Sequence, residues 1–165
     1  MKSFLLLIAT SLLFFISCEK PKNSDFFDTN NKITIYSIFD ECGEWGGHKE
    51  KFEIFAKDDN KFYANYIKTK VNCNNISENY GTSKFQEPHI YKTFKLNDFQ
   101  KTEIVNYFHN LVNSKISERF PGHSGKTFGV QKDSTFVIEV YDINSKNVIN
   151  YNRLLKSFKL DTISN

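Results

Sequence analysis

An alternating stretch, a polar triplet and a returning strand set the tightest limit on the fold. Lys51-Phe52-Glu53-Ile54-Phe55-Ala56-Lys57 alternates polar with apolar, Asp58-Asp59-Asn60 is turn material, and Lys61 to Val71 reads as the returning strand. A period of two marks a half-buried strand, and Asp and Asn favour the backbone of tight turns. A hairpin turning near Asp59 pairs residues whose numbers sum to about 118, because register follows from the turn. That count puts Cys73 across from about Trp45 and Cys42 at the same end of the hairpin.

The rest of the chain supplies partners for this hairpin. Lys32 to Phe39, rich in Ile and Tyr, reads as a strand before it. His89 to Lys95, Thr127 to Val130, Thr135 to Tyr141 and Asn147 to Tyr151 read as further strands. Turns are expected at Lys132-Asp133-Ser134 and Asn144-Ser145-Lys146, and Pro121-Gly122 breaks the chain. One principal helix is expected from Asn97, where Gln100 three residues later completes a capping-box pattern. Its face is Ile104, Val105, Phe108, Leu111 and Val112, at helical spacing as far as about Ser114. Arg153 to Lys159 reads as a short last helix with Leu154, Leu155 and Phe158 as its contacts. Strands, a helix and strands again predict an α+β domain, an antiparallel sheet with the principal helix on one face.

The N-terminus has a different character. Met1-Lys2-Ser3 is followed by an apolar run from Phe4 to Ile16, broken only by Thr10 and Ser11. This run is too short to span a bilayer, which takes about 20 residues, and has the form of a secretory signal. The segment Phe15-Ile16-Ser17-Cys18 resembles the lipobox of bacterial lipoproteins, with Phe15 where Leu is usual. The resemblance covers the first 18 residues and implies cleavage after Ser17 and acylation of Cys18. Membrane binding through several acyl chains would be firm, since each buried CH₂ contributes about 0.8 kcal/mol. The expected organisation is a signal peptide over 1–17, a lipidated polar tether over 18–31 and a single domain over 32–165. The mature domain as a whole resembles uncharacterised bacterial lipoproteins, which implies an address and no activity.

Removing 17 of 165 residues leaves 148, enough for one domain with one core. It also removes Lys2, leaving 21 basic against 19 acidic residues and a formal charge of +2. Only Arg119 and Arg153 among the basic residues are Arg. Nucleic-acid readers favour the Arg fork, so weak charge and scarce Arg speak against such a partner. Cys42 and Cys73 are an even pair in an exported chain, where disulfides persist. A bridge is the expectation, with two free thiols or half of a metal site as the alternatives.

Several motifs fail on inspection. Phe120 to Thr127 ends like a phosphate-binding loop, but Phe120 stands where that loop needs Gly, and a strand follows instead of a helix. Gly122-His123-Ser124-Gly125 lacks the spacing of a hydrolase elbow. Asp133-Ser134-Thr135 and Asp161-Thr162-Ile163 resemble an O-glycosylation acceptor pattern of some envelope bacteria, though such triplets are common by chance. His89 and His109 are isolated.

Asp40 to Glu50 is richer, with the chain's one Trp, three Gly, a His and several carboxylates. Glu44, Trp45, His48 and Glu50 are the candidate ligand-binding residues. The competing reading is a disulfide-stapled turn with Trp45 packed over the sheet edge. No catalytic set, resident metal site or cofactor is expected. The functional expectation is a non-catalytic binding module of the cell envelope, lipid-anchored in the outer membrane facing the periplasm or the surface. Its partner would be an envelope protein, a glycan or a small ligand. The alternatives are a metal-binding protein or enzyme using the 40–50 loop, and an inhibitor of envelope enzymes.

Overall fold

A computed structural model of the chain describes residues 26–57, 61–74, 76–117, 125–133, 136–142 and 145–164. The signal segment, Cys18, most of the tether, the Asp58–Asn60 turn and the Pro121–Ser124 stretch lie outside the described residues, as do Ser134 and Thr135. Six strands form one antiparallel sheet: β1 (Ile33–Ile38), β2 (Lys49–Ala56), β3 (Phe62–Val71), β4 (Gln86–Lys95), β5 (Lys126–Lys132) and β6 (Phe136–Asp142). They lie in the order β4-β3-β2-β1-β5-β6, and every neighbouring pair is antiparallel. Among the described residues three α-helices accompany them: α1 (Ile76–Asn79), α2 (Asp98–Ser117) and α3 (Lys146–Ser157). The molecule is an α+β fold, with α2 and α3 laid together against one face of the sheet.

The hairpin sets the register. Glu50 faces Lys68, Phe52 faces Tyr66 and Ala56 faces Phe62, the pairing a turn near Asp59 requires. Alternation then sorts each strand onto two faces. Ile33, Ile35, Phe52, Ile54, Ala64, Tyr66, Phe128 and Val130 point to the helices and are nearly or fully buried. On the opposite face no described helix covers the sheet. Tyr36 lies there across the backbone of Gly129, where a Cβ would run into the phenol ring. The hydroxyl of Tyr36 donates to Glu139 at 2.7 Å, which fixes the ring over the glycine. Pro88 falls on β4, an edge strand, where a missing N–H is tolerated.

The capping box forms as the sequence suggests. The Gln100 amide donates to the Asn97 side chain at 2.8 Å, and the Gln100 side chain accepts from the Asn97 amide at 3.1 Å. Ile104 and Leu111 are buried on α2, with Val105 and Phe108 partly buried beside them. Tyr107, between these positions, is also buried.

Two expectations are corrected. The strand expected over Asn147–Tyr151 is the first half of α3, and the short helix expected from Arg153 is its second half. Five residues are too few to separate a period of two from one of 3.6. Over the longer window, Val148, Tyr151, Leu154 and Leu155 recur every three or four residues and are all buried. The helix ends where Lys159 turns left-handed (φ 55°) and the Leu160 amide folds back onto the Leu155 carbonyl. The second correction concerns the polar tether. Phe26 and Phe27 belong to the packed domain, with Phe27 buried 5.2 Å from the Phe62 ring and Phe26 5.0 Å from Phe108. Their neighbours are polar, which hid these two anchors in a segment judged by average composition.

Candidate functional site

The loop from Phe39 to His48 is closed at its base by the Phe39 amide donating to the His48 carbonyl at 3.0 Å. Within it, a short 3₁₀ turn (Gly43–Trp45) is held by Gly43 to Asp40 and Cys42 to Gly46 backbone bonds of 2.9 and 2.8 Å. Cys42 is bonded to Cys73, with Cα atoms 5.3 Å apart. The bridge ties the loop to the segment after β3, which carries α1 and then Tyr80. Gly47 is constrained by crowding: a Cβ there would overlap the Glu41 carboxylate and approach the Phe39 carbonyl to 2.7 Å.

The four candidate residues divide between two sites. Glu44 and Trp45 face outward, His48 and Glu50 inward. Trp45 is 51% exposed and meets Tyr80, itself 56% exposed, edge-to-face with ring centroids 5.3 Å apart. Tyr80 in turn rests on buried Phe85, 5.4 Å away. These rings wall a groove of about 560 Å³, completed by Ile38, Glu44, Lys49 and Gln86. Gln86 is oriented by donating its side-chain amide to the Gly47 carbonyl at 2.6 Å. A second depression of about 430 Å³ lies on the open sheet face over Tyr36 and Ile67. Ile38 and Lys49 line both cavities, so the two are neighbours.

His48 and Glu50 belong to a polar cluster under the sheet. Glu50 is fully buried on β2, and its carboxylate meets Lys68 Nζ at 2.8 Å, Tyr151 Oη at 2.9 Å and His48 Nε2 at 3.2 Å. The other His48 ring nitrogen, Nδ1, bonds Glu41, whose second oxygen accepts from the His48 amide at 3.1 Å. Phe39 stacks on the imidazole at 4.2 Å, nearly parallel. Burial alone would raise the Glu50 carboxyl, but bonds from His48, Lys68 and Tyr151 hold it below its ordinary value. Burial likewise opposes the charge on His48, and bonds to Glu41 and Glu50 outweigh it, so the imidazole is raised. Burial would raise Glu41, but its side-chain bond to His48, backbone bonds and the His48 charge together hold it below its ordinary value. Tyr66 and Tyr151 are pushed well up, first by burial and then by the nearby Glu50 charge.

The chemistry available in the two places differs. The cluster is internally saturated: each ring nitrogen of His48 meets a carboxylate, and Glu50 is shared among Lys68, Tyr151 and His48 with Tyr66 beside it. Among the described residues, no three His, Cys, Asp or Glu side chains gather as a metal-holding group. His89 and His109 are exposed on β4 and α2. The groove, by contrast, presents unburied aromatic surface beside polar groups. Tyr80 was missed by sequence reasoning, although the expected bridge at Cys73 already draws the residues after it toward the 40–50 loop. Comparisons with protein-family models, with curated proteins and with solved structures find no match to this chain.

Proposed function

We propose that this chain is an exported, lipid-anchored protein of the cell envelope whose domain is a non-catalytic binding module. The anchor is Cys18, read from the lipobox-like Phe15-Ile16-Ser17-Cys18, with the outer membrane as the expected site. The ligand site is the groove between Trp45 and Tyr80. One observation carries this reading: two aromatic rings, each more than half exposed, are held in contact between two segments joined by a disulfide. Leaving such surfaces in water gives up the stabilisation that burial would contribute, about 25 cal/mol per Å². Rings exposed in a preformed concavity are the usual form of a small-ligand site. The inward-facing His48 and Glu50 support binding over catalysis, because both are engaged within the protein.

The test is photo-crosslinking in the protein's own cells, with a benzophenone amino acid replacing Tyr80 or, as control, Phe99 on the helical face. Phe99 is 63% exposed and stands on α2, far from the groove in the fold. A product at position 80 that is lacking at 99 is the expected result. Equal labelling at both positions, or none at 80, contradicts the assignment of the groove.

A further inference from the structure

We propose that the groove takes a neutral oligosaccharide, one sugar ring packing against Trp45 and Tyr80 and the chain continuing over Ile38 and Lys49 onto the open sheet face. This rests on the groove being the ligand site. A pyranose ring has an apolar C–H face and a rim of hydroxyls, so it needs a flat apolar surface edged by hydrogen-bonding groups. Trp45 and Tyr80, set at 71° to each other, form a corner in which the face of either ring can serve as that surface. The edge is Glu44, Lys49, Thr82, Ser83 and Gln86, which together offer carboxylate, ammonium, hydroxyl and amide groups.

Charge narrows the class further. Glu44 and Lys49 are the charged residues lining the groove, and they oppose each other, so it presents no net field to an anion or a cation. A single-stranded nucleic acid would need a basic track alongside its stacking rings, which this groove lacks. A protein partner of ordinary affinity covers about 800 Å² of each surface, whereas a concavity of about 560 Å³ has small-ligand dimensions. The second depression borders the groove at Ile38 and Lys49, which gives a ligand longer than one ring a neighbouring surface to follow. Rigidity favours binding too. Trp45 sits in a backbone-bonded turn beside the disulfide, and Tyr80 leans on Phe85, so little side-chain freedom is lost on contact.

The experiment uses the full lipidated chain in a detergent without a sugar headgroup. An array of neutral and acidic glycans identifies the ligand series, and Trp45 reports its affinity, because the sequence contains a single Trp. The expected result is a neutral tetrasaccharide that changes Trp emission saturably and binds at least about tenfold more tightly than its monosaccharide, a difference of about 1.4 kcal/mol. Tyr80→Ala should weaken it at least about tenfold, while Phe99→Ala leaves affinity unchanged. Trp45→Ala, followed by calorimetry, should abolish it; both replaced rings lie outside the core, so folding is retained. The proposal is overturned if no neutral glycan binds, if only acidic glycans bind, or if binding survives both groove variants. If the array is empty while Tyr80 still crosslinks a protein in cells, the groove remains a binding site and the sugar is wrong. If both fail, the groove assignment falls as well.

Discussion

Glu50 offers the sharpest test of how the domain is held together. Its side chain has no solvent exposure, and its two oxygens serve Lys68, Tyr151 and His48. Glu50→Ala removes the acceptor and leaves these three donors around a cavity. Breaking a buried ion pair by deleting one partner costs about 3–5 kcal/mol. Lys68 retains 25% exposure and can turn partly to water, which draws the estimate toward the lower end. Tyr151 is fully buried with the Ser37 hydroxyl as a remaining neighbour, so loss of its bond to the carboxylate adds about 1–3 kcal/mol. Because these contributions overlap, the expected loss is about 3–4 kcal/mol. With a urea m-value of about 2 kcal/mol/M, the unfolding midpoint should fall by about 1.5–2 M. Glu50→Gln keeps the volume and an acceptor for Tyr151, and should cost about 1–2 kcal/mol. Lys68→Ala should matter much less once Glu50 is gone. A Glu50→Ala loss below about 1 kcal/mol would refute the view that this carboxylate organises the interior.

Other consequences follow from particular contacts. Reducing the Cys42–Cys73 bridge, which spans a separation of 31, should lower stability by about 3–4 kcal/mol in the chain-entropy model, read from urea curves with and without reductant; unchanged curves contradict the bridge's role. Gly129→Ala should cost about 1–3 kcal/mol because the new methyl displaces Tyr36 from Glu139, and Tyr36→Ala should relieve much of that penalty in the double variant. Asn97→Ala should cost about 1 kcal/mol through loss of the capping box, and equal thermal midpoints would count against it. The His48 cluster has two pH limits. A raised His48 stabilises fully below its ordinary 6.5, and this contribution fades as pH rises through the folded value. Lowered Glu41 and Glu50 stabilise fully above 4.5, and theirs fades as pH falls through the folded values. The stability gap between wild type and His48→Ala should therefore be widest between about pH 4.5 and 6.5 and narrow as pH rises through the folded His48 value. A gap that widens with rising pH would reverse this sign.

Legibility in the sequence followed the length over which a pattern repeats. The β2–β3 register could be counted from one turn, since strands of eight and ten residues flank it and β2 alternates. The α2 start was legible because Asn97 and Gln100 act through a local bond. Asn147–Tyr151 was misread because its period emerges only when Leu154 and Leu155 are included. The site was legible in part for a different reason. The 40–50 loop announced itself by Trp45 and its glycines, yet sequence cannot say that Glu44 and Trp45 face out while Glu50, on a strand, faces in. Lys68 was already opposite Glu50 in the counted register, but Tyr151 lies 101 residues away and reaches it only through packing of α3. Tyr80 stands in a polar loop without periodicity, and the disulfide, the Gln86–Gly47 bond and the Phe85 ring hold it beside Trp45.

The most direct measurement on the exported, anchored binding module is the native intact mass of the protein extracted from its own membranes. The expected species is Cys18 to Asn165 with acyl chains, two hydrogens lighter than the dithiol, and carrying additional mass from a bound glycan that Trp45→Ala abolishes. A species without lipid would contradict the anchor. A lipidated species with both thiols free, or with a bound ligand unaffected by Trp45→Ala, would contradict the stapled groove.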